Sequence, residues 1–130
     1  MVGQADSTTE LLHTQHASLL NIRELIILTL GLVDKPLSVE EAYTMVKNLE
    51  VRIRSIMAYK LPDQDIFRSM ITKMVKNFVV TQQYSLIRRK YVVQLSESGE
   101  GEFDYLLHSI ANKKLIQIFD EYKGLIDLFY

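Results

Sequence analysis

Residues 62–95 read PDQDIFRSMITKMVKNFVVTQQYSLIRRKYVVQL, and two periodicities meet inside this stretch. Ile66, Phe67, Met70, Ile71, Met74, Val75 and Phe78 recur at the i, i+3, i+4, i+7 spacing of one helix face. The opposite face carries Gln64, Arg68, Ser69, Thr72, Lys73 and Lys76. Pro62 suits the first helical positions, and Asp63 and Asp65 suit the positive end of the helix dipole. After Val79 the character changes. Val79, Val80, Thr81 and Tyr84 favour a strand, as do Tyr91, Val92 and Val93, and between them lies the basic turn Ser85 to Lys90. The spacing predicts an amphipathic helix followed by a β-hairpin. No Asn-Gly or Asp-Gly marks the turn type.

Upstream, Leu19, Leu20, Ile22, Leu25, Ile26, Leu28, Leu30 and Leu32 cover most of a helix surface between His16 and Val33, which predicts a buried helix stopped by Gly31 and then Pro36. Ser38 and Glu41 have the spacing of a capping box, and Ala42, Tyr43, Val46 and Leu49 continue as a helical stripe. From Glu50 to Leu61 the pattern fits either a longer helix or a short strand. Downstream, Ser96 or Ser98 caps a helix with an acidic first turn and the stripe Phe103, Leu106, Leu107, Ile110. The segment from Leu115 to Tyr130 is rich in apolar residues.

Three helices, a hairpin, then further helices predict an α+β, mostly α fold: a winged helix-turn-helix with additional N- and C-terminal helices. We divide the chain into a mostly polar N-terminal segment (1–15), a winged-helix DNA-binding domain (16–111) and a C-terminal dimerisation helix (112–130). The charge agrees with this division. The net charge of −1 hides a balance of −2 over residues 1–59 (five basic, seven acidic), +5 over 60–92 (seven basic, two acidic) and −4 over 93–130 (three basic, seven acidic). The basic stretch is the third helix plus the hairpin, the two elements that meet DNA in a winged helix. The expected DNA-binding residues are Arg68, Ser69, Thr72, Lys73 and Lys76 on the helix, facing the major groove and its phosphates, and Arg88, Arg89 and Lys90 at the wing tip. A solvated helix face and a basic solvated loop would carry the same residue types, so the weight lies on their coincidence with the topology.

Several function classes fall away. With no cysteine there is no disulfide, thiolate metal site or cysteine nucleophile. The longest apolar run, Leu25 to Val33, is nine residues including Thr29, against roughly 20 for a membrane span. A soluble, cytoplasmic protein without membrane contact is expected. His13 and His16 lack a third ligand nearby, His108 stands alone, and Glu97, Glu100, Glu102 and Asp104 sit where acids stabilise a helix start, so no metal or other cofactor is expected. No phosphate-cradling loop or nucleophile elbow occurs, and no catalytic residue or enzymatic role is expected. Met57, Met70 and Met74 could line a small-molecule pocket at a dimer interface, although core filling explains them more simply.

The run Leu25 to Leu32 leading to Pro36-Leu37 and Tyr43, with the strand Arg89 to Leu95 passing into Ser96-Glu97-Ser98-Gly99-Glu100, resembles the PadR-like family of winged-helix regulators from Ile22 to about Leu107. Ala42 stands where that family has a glycine, and the turn from Pro36 to Tyr43 is longer. The resemblance implies a double-stranded DNA-binding transcriptional repressor. It extends to a clock-modifying member of the family, which implies the promoter of a circadian-clock gene as target. Winged-helix regulators read paired half-sites as homodimers. The apolar surface of the last helix, with Phe119, Tyr122, Ile126 and Phe129, is the expected dimer interface, unless that helix packs back onto its own core. The alternative function is a winged-helix protein–protein interaction module that does not bind DNA.

Overall fold

Asn21 sets the start of the first helix among the described residues. In the computed structural model, which describes residues 19–110 and 113–129, the Asn21 side chain accepts from the Glu24 amide at 2.8 Å, and Glu24 accepts from the Asn21 amide at 3.0 Å. Helix α1 then runs Ile22–Val33. It starts later than the apolar pattern from His16 predicts, because the backbone of Leu20 is engaged elsewhere. The Leu20 amide donates to Ile56 O at 2.7 Å, and Leu20 O accepts from Ala58 at 2.8 Å. The polar segment 1–15 and the pair His13 and His16 lie outside the described residues. Leu25, Ile26, Ile27 and Leu28 are fully buried, so α1 is the central core helix.

Gly31 does not stop α1. The helix continues to Val33 and ends at Asp34, whose φ of 54° is left-handed. The glycine serves packing instead: the ring of Phe103 lies so close that a Cβ on residue 31 would overlap it. The linker after α1 adds an antiparallel bridge, with Leu37 and Val93 exchanging hydrogen bonds at 3.0 and 2.7 Å.

Helix α2 (Val39–Arg52) carries the expected capping box: the Glu41 amide donates to Ser38 Oγ, and the Ser38 amide donates to the Glu41 carboxylate. The ambiguous stretch after it is neither a longer helix nor a full strand. α2 ends at Arg52, a 3₁₀ turn covers Arg54–Ile56, and Met57 makes an isolated parallel bridge with Leu20. Helix α3 (Gln64–Lys76) is capped by Asp63, whose side chain accepts from the Ile66 amide at 3.0 Å, so Pro62 lies just before the cap rather than in the first turn. Its buried stripe is Phe67, Ile71 and Met74; Ile66 and Phe78 are exposed. α3 ends in a Schellman motif, with Phe78 N–H donating to Val75 O and Val79 N–H to Met74 O. Phe78 occupies the left-handed position (φ 63°) that glycine usually fills.

Strands β1 (Val80–Ser85) and β2 (Lys90–Leu95) form the expected antiparallel hairpin, in register from Val80 opposite Leu95 to Ser85 opposite Lys90. The turn is closed by Arg89 N–H donating to Ser85 O at 2.7 Å, with Arg89 left-handed at φ 56°. Of the two candidate caps it is Ser96 that starts helix α4 (Glu97–Ser109), accepting from Gly99 N–H at 3.0 Å. Gly99 lies against the carbonyl of Val79, where a Cβ would overlap backbone. Helix α5 (Lys113–Phe129) follows. The fold is thus α+β and mostly helical, with one two-stranded sheet among the described residues.

The last helix packs back on its own chain. Leu115, Phe119, Tyr122 and Ile126 are buried, and the Tyr122 hydroxyl donates to Met45 O at 2.7 Å inside the core. Phe119, Tyr122 and Ile126 therefore serve the core of a single chain rather than a free dimer surface, because the i, i+3, i+7 stripe that carries them faces α1 and α2. The side chain of Phe129 lies outside the described residues.

Candidate nucleic-acid interface

Hydrogen bonds and charge bring the two predicted basic elements together around the first turn of α2. Arg68 of α3 forms an ion pair with Glu40. Arg88 of the hairpin turn forms one with Glu41 and also donates to Pro36 O at 3.3 Å. The charge of Lys90 bears on both carboxylates. The hydrogen bond from Arg68 holds the Glu40 carboxyl below its usual range, helped by its own backbone and by the charges of Arg68 and Lys90. For Glu41, burial pushes the carboxyl up, but hydrogen bonds from Arg88 and the Ser38 amide, with the charges of Arg88 and Lys90, outweigh it and leave the group lowered. Arg68 and Arg88 are thus held beside the first turn of α2 by two acids, with Lys90 near enough for its charge to act on both.

The remaining predicted residues are distributed around this centre. Lys73 and Lys76 are exposed on α3 and make no ion pair among the described residues. Ser69 and Thr72 are exposed, but their hydroxyl protons go to their own helix: Ser69 Oγ donates to Asp65 O at 3.2 Å and Thr72 Oγ1 to Arg68 O at 3.0 Å. Each keeps lone pairs to accept with. Arg89 is exposed in the turn, without an ion pair among the described residues.

Sequence reading missed the two glutamates. Glu41 was legible as a capping residue, and its second use by Arg88, 47 positions away, has no local signal. Glu40 had none either. Nor did the pattern single out Leu86 and Ile87, the two most exposed large hydrophobics among the described residues.

A cleft of about 440 Å³ opens between the end of α1, α4 and α5, with Phe103 and Phe119 in its floor and Asp34, Glu100, His108 and Asp120 at its rim. Burial, with the charges of Asp34 and Asp104, pushes the Glu100 carboxyl up. Met74 is buried and Met70 and Met57 are half-buried against the core, so these methionines fill the interior and do not line this cleft. Glu102 pairs with Arg23 at 2.8 Å, joining α4 to α1. Among the described residues no three His, Asp or Glu side chains are grouped to hold a metal ion, and no helix is long and apolar enough to cross a membrane.

Scans against protein-family models, curated proteins and solved structures return no match for this chain.

Proposed function

We propose that this chain is a winged-helix regulator that binds double-stranded DNA, a cytoplasmic, non-enzymatic repressor acting as a homodimer. The observation that carries the reading is the pairing of Arg68 and Arg88 with the first turn of α2, with Lys90 close by and Lys73 and Lys76 exposed along α3. α2 and α3 would be the helix-turn-helix pair, α3 the recognition helix and β1–β2 the wing. The ion pairs with Glu40 and Glu41 position Arg68 and Arg88. Phosphates compete for the same guanidinium groups, and an exposed pair worth about 0–1 kcal/mol yields to a polyanion. A second copy would dock on the side of α5 where Leu125 and Leu128, three positions apart, are both exposed. The promoter of a circadian-clock gene is the target suggested by the PadR-like resemblance.

A second reading, a winged-helix protein-interaction module, is favoured by the neutralisation of Arg68 and Arg88 inside the chain. Fluorescence anisotropy with labelled duplexes across a salt series separates the two. Binding through phosphates weakens steeply with salt, and Lys73→Ala with Lys76→Ala flattens that dependence. Absence of binding at low salt refutes the DNA reading and leaves the interaction module.

A further inference from the structure

Leu86 is 84% exposed and Ile87 95% exposed, side by side at the tip of the hairpin. Apolar side chains so placed lose nothing by leaving water, and their tip is fastened from beneath. Ser85 O accepts from Arg89 N–H, Ser85 Oγ accepts from Arg88 N–H at 3.1 Å, and the Arg88 guanidinium ties the turn to Pro36 O and Glu41. Tyr84 and Tyr91 meet edge to face across the strands just behind, with ring centroids 5.2 Å apart, which stiffens the stem. The result is a rigid apolar point flanked by Arg89 and Lys90. Proteins that bend DNA use such points: Leu, Ile, Phe, Met or Pro wedges slip between base pairs from the minor groove while neighbouring cations hold the phosphates.

We propose that Leu86 and Ile87 form an apolar wedge that enters a base-pair step of the bound duplex from the minor groove and kinks it. The proposal rests on the DNA-binding reading and adds its mode. A duplex fits better than a lipid surface because the cations continue past the tip to Arg68 and along α3 to Lys73 and Lys76. A bilayer would be met by the tip alone, leaving those cations idle. Flexible pyrimidine–purine steps, TA above all, are where the wedge would enter, since they unstack most easily.

The test uses the full chain and a short duplex with a central TA step and a fluorophore at each end, so that anisotropy reports binding and energy transfer reports bending. Wild type is expected to bind and to raise energy transfer. Leu86→Ser with Ile87→Ser is expected to bind roughly tenfold more weakly with an unchanged salt dependence, since the phosphate contacts survive, and to lose the bend. Both positions are solvent-exposed, so an unchanged thermal melt confirms an intact fold. Wild-type binding without bending, or full bending by the double variant, overturns the wedge and leaves the DNA reading standing. No binding by wild type sinks both. Wild-type binding to phosphatidylglycerol vesicles that the double variant loses overturns the wedge in favour of a lipid surface.

Discussion

Arg89→Gly separates the turn's geometry from its charge. Arg89 holds a left-handed φ of 56°, which costs a residue with a Cβ about 1–2 kcal/mol. Glycine removes that cost but loses about 0.5–1 kcal/mol more chain entropy on folding. The difference is zero to about 1.5 kcal/mol, so the variant should be as stable as wild type or up to about 1.5 kcal/mol more stable by urea unfolding. On the proposed DNA-binding reading, its affinity for duplex should nevertheless fall. Loss of one phosphate contact lowers the slope of log K against log salt by about 0.9, which at 0.1 M salt is roughly eightfold in affinity per protomer. Anisotropy titrations across a salt series measure both numbers. An unchanged slope refutes Arg89 as a phosphate contact, and a loss of stability beyond about 1 kcal/mol refutes the turn geometry.

Four further outcomes are expected. Glu40→Gln frees Arg68 and should tighten DNA binding several-fold with less than about 1 kcal/mol change in stability. Because the Glu40 carboxyl is lowered, its pair is present above the usual value of 4.5 and lost only as pH falls below it, so wild type gains affinity from this source only there, as anisotropy at stepped pH will report. Phe119→Ala should cost about 3–5 kcal/mol and Tyr122→Phe about 1 kcal/mol in urea unfolding, both independent of protein concentration, because these side chains serve the core of one chain. Gly99→Ala should destabilise more than Gly31→Ala in thermal melts: the first meets the Val79 carbonyl and the second a ring that Phe103→Leu can withdraw. Glu100 has a raised carboxyl, so the folded state holds its proton longer and stability falls as pH rises from 4.5 through the raised value; Glu100→Gln should melt higher than wild type near neutral pH, with the gap closing below 4.5.

Local physics made much of the fold legible. The capping box at Ser38 and the stripe of α3 are properties of residues within four or five positions of one another, and the hairpin from Val80 to Leu95 joins two strands through a four-residue turn, so periodicity and backbone preference act directly. The start of α1 was misread because Leu19 and Leu20 continue its apolar pattern, whereas the hydrogen bonds of Leu20 reach residues 56 and 58. Gly31 was misread as a stop because its reason, the ring of Phe103, lies 72 positions away.

For the candidate site the division is the same. The chain's order alone determined that a basic helix precedes a basic turn, and so which cations to consider. Only the tertiary structure decided that two of them, Arg68 and Arg88, are held by Glu40 and Glu41, and that Phe119, Tyr122 and Ile126 spend their apolar surface inside one chain. Composition and spacing set the supply of charge and apolar area. Which charges neutralise one another, and which apolar faces are covered, depends on contacts between residues tens of positions apart, and those exist only once the helices have packed.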